Sequence, residues 1–81
     1  MQPATEATRS IETDIEDLDD TDRAIERLGK RIDAQEQRIA QLKRDGIDGE
    51  SAEKMRADMH DSLKELIMHR ALIMHAIAYR E

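Results

Sequence analysis

The chain contains no cysteine, phenylalanine, tryptophan or valine, and its 81 residues include one proline, three glycines and a single aromatic side chain, Tyr79. Without cysteine it can form neither a disulfide framework nor a thiol-based catalytic or zinc site. A β-rich fold needs repeated glycine and proline turns and aromatic or valine-rich strands, and both are scarce here. The composition therefore excludes disulfide-rich, thiol-dependent and all-β classes, and the lack of cysteine predicts a cytoplasmic protein.

Long apolar runs are also missing. The most apolar stretch, residues 66–79, is interrupted by His69, Arg70 and His75, so it falls short of the roughly 18–20 apolar residues of a membrane span. The first ten residues show neither the basic cluster nor the apolar run of a secretory signal. Charged residues make up 40% of the chain, and the helix formers that dominate the remainder predict one small all-α domain.

Seven-residue periodicity defines a first helix at about residues 8–44, with residues 1–8 expected to be frayed. The repeated apolar positions are Ile11, Leu18, Ile25, Ile32 and Ile39. Such a column is typical of a helix packed in a left-handed seam. A second column begins at Ile15 but gives way to one starting at Leu28, which predicts that the buried face rotates along the helix. A helix break near Asp20 and Thr21 is an alternative, since Asp and Thr compete with the backbone for hydrogen bonds.

A helix–helix turn is predicted at residues 45–49. Gly46 follows two basic residues and suits a left-handed C-terminal cap. Asp48 suits the N-cap of a second helix. A connection this short favours two antiparallel neighbours, so the predicted fold is an all-α, antiparallel αα-hairpin.

The second helix is predicted at about residues 49–79. Its apolar residues recur mostly at spacings of three and four, which places them on one broad face. They are Ala52, Met55, Met59, Leu63, Leu66, Ile67, Ile73, Met74 and Ile77.

The last turns of this helix carry apolar residues that the first helix cannot cover. Met68, Leu72, Ala76 and Tyr79 lie on the side that faces away from it. A hairpin of this size has nothing else to pack there, so these four residues are the predicted interface of a homo-oligomer. A dimer that forms a four-helix bundle is favoured.

Residues 31–77 are similar to a known group of proteins. The matching positions are Arg31-Ile32, Gln37-Arg38-Ile39, Leu42, Asp45-Gly46-Ile47-Asp48, Ala52, Leu63, His69-Arg70 and Ile73. In this order they resemble short, uncharacterised helical-hairpin proteins of rhizobial-type alphaproteobacteria. The resemblance implies a hairpin and a bacterial origin, and it implies no activity.

No residue pattern predicts catalysis, a cofactor or a metal site. His69 and His75 are six residues apart, about 120° around a helix, and cannot bind one metal ion together. Glu65 and His69 are neighbours at i and i+4, and with His75 they could make a buried interface sensitive to pH. The acidic residues at 14–22 lack the glycine and terminal glutamate of a calcium loop, so they predict a solvated face or a docking strip for a basic partner.

Charge is distributed in blocks: residues 1–22 carry −7, residues 23–44 carry +4, and residues 45–81 carry −3. This pattern favours charge-directed pairing between chains. The predicted function is that of a non-enzymatic assembly protein acting through self-association and helix-face contacts. The alternative is a regulatory adaptor or antitoxin-like inhibitor that docks its C-terminal apolar residues on a target protein. Nucleic-acid binding by basic residues 23–44 is less favoured, because that segment has no aromatic residue to stack on bases.

Overall fold

The protein is a two-helix hairpin. The computed structural model describes the backbone of residues 3–79 and the side chains of residues 11–79. Helix α1 spans Pro3–Arg44 and helix α2 spans Glu50–Ala78, and they pack side by side. The molecule measures 66 × 18 × 14 Å. Its length is that of the 42-residue α1, since a helix rises about 1.5 Å per residue. The predicted all-α hairpin is confirmed.

The helix ends differ from the predicted ones at the N-terminal side. Helix α1 begins at Pro3, so residues 3–8 are helical rather than frayed, whereas residues 1–2 lie outside the described residues. Proline suits a first helical position because it has no backbone N–H to leave unbonded there. Helix α2 ends at Ala78, with Tyr79 as its C-cap. Because α2 is shorter, the N-terminal turns of α1 extend beyond its end.

The turn confirms the predicted role of Gly46. This glycine has φ +69°, and the N–H of Ile47 donates to the Leu42 carbonyl at 2.9 Å. The Gly46 N–H donates to the Lys43 carbonyl at 3.2 Å, which completes a Schellman cap. The Ile47 side chain stays 54% exposed.

Asp48 was predicted to be the N-cap of the second helix, but it lies one position before the N-cap. Gly49 is the N-cap of α2, because its carbonyl accepts the first helical hydrogen bond, from the Glu53 N–H at 2.8 Å. Asp48 nevertheless stabilises this helix end, since its Oδ1 accepts a hydrogen bond from the Glu50 N–H at 3.0 Å.

Helix α1 is continuous, and the break considered at Asp20 and Thr21 is absent. Thr21 is buried, and its Oγ1 donates to the carbonyl of Asp17 at 2.7 Å. The hydroxyl therefore bonds to the helix backbone one turn earlier instead of competing with it. This contact lets a polar residue occupy the helix–helix seam.

The buried face of α1 does not rotate, contrary to the prediction. The column that accompanies Ile32 and Ile39 keeps one seven-residue spacing in all five repeats, and every member is buried or half-buried. These residues are Asp14, Thr21, Leu28, Gln35 and Leu42. Ile15, which was predicted to start the companion column, is 52% exposed. The part of this column from Leu28 onward was predicted, and its extension to Asp14 and Thr21 was missed because both residues are polar.

The seam of α2 is narrower than predicted. Its buried and half-buried members follow alternating spacings of three and four after Met59, and one of them is charged. They are Ala52, Met59, Leu63, Leu66, Arg70, Ile73 and Ile77. Met55, Ile67 and Met74, which were predicted to belong to this face, are 52%, 51% and 43% exposed. They lie roughly 40–60° to either side of the seam, and a single neighbouring helix does not reach them.

The two glycines at positions 29 and 46 give a matched test of the turn. A Cβ atom added at either position meets no atom within 4 Å, so only backbone conformation distinguishes them. Gly46→Ala should lower the free energy of unfolding by about 1 kcal/mol, because alanine resists positive φ. Gly29→Ala, within α1, should raise it by about 0.5–1 kcal/mol. Urea denaturation followed by circular dichroism measures both. Equal effects of the two substitutions would contradict this account of the turn.

The seam predicts a large effect of charge at Ile32, which is 5% exposed. Ile32→Asp should unfold the hairpin at 25 °C, because a carboxylate there has no partner for its lost hydration. Ala40→Asp, at an exposed position of the same helix, is the control and should change stability by less than about 1 kcal/mol. Retained helicity in the Ile32 variant would place the core elsewhere.

Candidate interaction surfaces

Three ion pairs join the helices along one side of the hairpin, here called the ion-pair edge. Arg70 Nε lies 2.5 Å from Asp22 Oδ1, and Lys43 Nζ lies 3.3 Å from Glu53 Oε1. The third pair joins His60 Nε2 and Glu36 Oε1 at 3.7 Å, and it is ionic when the histidine is protonated. The three α1 residues differ by multiples of seven positions, so they share one helix face. Each side chain is 42–67% exposed, so the pairs contribute little stability, about 0–1 kcal/mol each.

The opposite side of the hairpin contains an open groove between the helices, here called the groove face. One depression in this groove has a volume of about 630 Å³. The floor is apolar, and two arginines and one aspartate stand at its rim. The lining residues are Ala24, Arg27, Leu28, Arg31, Met55, Asp58, Met59, Ser62 and Leu66.

The groove continues toward the turn and carries a third arginine. Two further depressions share Gln35 and Arg38 as lining residues. The Gln35 Nε2 atom donates a hydrogen bond to the carbonyl of Ala52 at 2.9 Å, which links the helices beneath the groove. Arg27, Arg31 and Arg38 make no ion pair with any residue in the described part of the chain. The basic residues of the groove are thus available to an acidic ligand.

The predicted interface residues lie together on the exposed side of α2. Met68, Leu72 and Tyr79 are 67%, 68% and 75% exposed, and Ala76 is also exposed. Ile67 and Met74 are also exposed, but they share the seven-residue column of Glu53 and His60 and so lie toward the ion-pair edge, about 100–180° around α2 from the other four residues. The large side chains of this C-terminal apolar surface are Met68, Leu72 and Tyr79.

The polar residues proposed for a pH-sensitive interface are not brought together within one chain. Glu65, His69 and His75 are all exposed, and among the described residues no ion pair joins Glu65 to His69. The His75 ring packs on Tyr79, with ring centroids 4.5 Å apart and an interplanar angle of 37°. The histidine that contacts a carboxylate is His60, which the sequence did not single out.

Some of the acidic residues at 14–22 form ion pairs with described residues, and others do not. Asp19 pairs with Arg23 at 2.8 Å and Asp22 pairs with Arg70, whereas Asp17 and Asp20 are exposed and make no ion pair with the described residues. No cluster of three or more acidic or histidine side chains within residues 11–79 could hold a metal ion. In the same part of the chain, neither helix is apolar enough to cross a membrane.

Sequence reasoning missed the Asp22–Arg70 pair and the groove. Asp22 lies beside the seam, and Arg70 occupies the seam position opposite it. The signal for the pair was a charged residue at the centre of an otherwise apolar α2 face. In the sequence, the groove is indicated by a column with seven-residue spacing in which three of four members are charged. These residues are Asp17, Ala24, Arg31 and Arg38.

Comparisons with protein-family models, curated proteins and solved structures give no match to this chain. The similarity of residues 31–77 to the rhizobial-type hairpin proteins therefore stays a prediction. The functional inference rests on the geometry of the groove face and of the C-terminal apolar surface.

Proposed function

We propose that this chain is a small, non-enzymatic assembly protein that associates with itself, with a dimer favoured, and presents charged helix faces to other proteins. The observation that carries the proposal is the C-terminal apolar surface, with three large apolar side chains 67–75% exposed and the exposed Ala76 among them. Monomeric proteins rarely leave such a continuous apolar surface in water unless it binds a partner. The cytoplasmic location predicted from the sequence belongs to the same proposal.

The shape of the chain supports association. Its accessible surface is 6572 Å², about a third more than the roughly 5000 Å² of a compact monomer of 9.3 kDa. The radius of gyration is 18.7 Å, against about 12 Å for a compact chain of 81 residues. A standard interface buries roughly 800 Å² on each partner, so pairing two hairpins would remove less surface than this excess.

The intramolecular core is small, which also favours association. The described part of the chain has five buried apolar residues, and every one keeps at least 5% of its surface exposed. Domains of this size commonly gain stability by oligomerisation when one core is insufficient. Folding and assembly would then be linked, and stability would depend on protein concentration.

The test removes apolar contacts without touching the seam. Met68→Lys combined with Leu72→Glu places two charges on the C-terminal apolar surface, where burial would be costly. We expect sedimentation velocity to report a monomer and thermal unfolding to occur at a lower temperature than in the unaltered chain. The control is Ala57→Lys with Asp61→Glu, which sets the same charges at the same spacing on exposed residues of α2.

Two results would oppose the proposal. If the double variant keeps the mass and melting temperature of the unaltered chain, the apolar surface is not a self-association interface. If the unaltered chain is itself a monomer at about 100 μM, far above the Kd of typical specific complexes, self-association is wrong. The adaptor alternative, in which a different protein covers the same residues, then becomes the better explanation.

A further inference from the structure

The charges on the groove face of α1 are arranged symmetrically about one small residue. Asp17 and Arg31 are each seven positions from Ala24, on either side. Asp20 lies four positions before Ala24, and Arg27 lies three positions after it. In two antiparallel helices related by a two-fold axis, residues at equal distances on either side of the axis lie opposite each other. A second copy centred on Ala24 would therefore bring Asp17 opposite Arg31, and it would bring Asp20 to within one position of Arg27.

These four charges differ from those on the ion-pair edge. All four side chains are exposed, and none has an ion-pair partner among the described residues. Asp58 of α2 also lines the groove beside Arg27 and Arg31, but no ion pair of 4 Å or less joins it to them. The chain thus satisfies its charges on one side and leaves complementary charges on the other.

We propose that the groove face binds α1 of a second copy of this chain in an antiparallel, two-fold arrangement. Asp17 of each copy pairs with Arg31 of the other, and Asp20 pairs with Arg27. Ala24 lies half-buried at the axis, where its small side chain allows the helices to approach closely. This inference rests on the proposed self-association and specifies its geometry.

The same arrangement brings the C-terminal apolar surfaces of the two copies to the same level. Because Asp22 pairs with Arg70, an axis at Ala24 is level with about residue 70 of α2, so the C-terminal half of α2 in one copy lies level with that of the other. Leu72 and Tyr79 are in the seven-residue column of Asp58, which lines the groove, so the C-terminal apolar surfaces of the two copies would lie on the same side of the hairpin as the α1 contact. Charges would set the alignment of the dimer, whereas apolar contacts would supply most of its affinity.

Charge reversal gives the test. The first variant is Asp17→Arg with Asp20→Arg, and the second is Arg27→Asp with Arg31→Asp. Each places like charges at both ends of the interface, so we expect each dimer to dissociate about tenfold more readily in about 50 mM salt. An equimolar mixture of the two variants restores opposite charges at both ends. Sedimentation equilibrium should then show a 1:1 heterodimer with affinity close to that of the unaltered chain.

A matched control makes the same change in net charge at residues outside the groove. Glu12→Arg with Asp33→Arg alters two exposed carboxylates that do not line the groove, and it leaves the chain with the same net charge as the first variant. We expect its self-association to equal that of the unaltered chain. Circular dichroism of every variant confirms that the hairpin remains folded.

The outcomes separate the two proposals. If both charge variants dimerise like the unaltered chain while the Met68 and Leu72 variant does not, the antiparallel groove contact is wrong and self-association stands. The groove contact is likewise wrong if the mixture associates as weakly as the separate variants, and an acidic helix of another protein would then be the better occupant. A monomeric unaltered chain overturns both.

Discussion

Two helices packed side by side can bury only one narrow face each, and most properties of this protein depend on that limit. Leucine and isoleucine at positions 28, 32 and 39 fit within the seam, but Ile67 and Met74, roughly 40–60° away on α2, do not. A third helix would cover such residues in a larger domain. Here they remain in water, so both candidate surfaces follow from having two helices rather than from a special motif.

The polar members of the seam show how the hairpin remains ordered with so little apolar burial. Thr21 bonds to the backbone of its own helix, and Gln35 bonds across to the carbonyl of Ala52. Polar residues in a seam reduce stability, but they restrict which partner and which alignment the helices accept. The proposed self-association would benefit from this restriction, because many apolar helices would otherwise compete for the same exposed surface.

The sequence predicted the features that depend on local periodicity and on backbone conformation. Both helices, the turn and the positive φ of Gly46 could be predicted from heptad spacing and from the conformational freedom of glycine. Burial was predicted less well, because apolar character was taken as evidence of an inward position. Ile15 is exposed and Thr21 is buried, since packing geometry decides which column faces α2. The groove depends on which residues of two distant segments meet, and periodicity in one helix does not specify that.

The ion-pair edge favours the native alignment of the two helices over alignments that are shifted by one heptad. A seven-residue seam nearly repeats itself, so α2 could slide by one heptad along α1 and still find apolar neighbours. A slide toward the N-terminus of α1 would bring Glu53 opposite Glu36, and the reverse slide would bring Arg70 opposite Gly29. Each shifted hairpin loses all three interhelical ion pairs. The slide toward the N-terminus of α1 also adds repulsion between Glu53 and Glu36. Exposed ion pairs that add little to stability thus enlarge the energy gap between the native alignment and its nearest competitors.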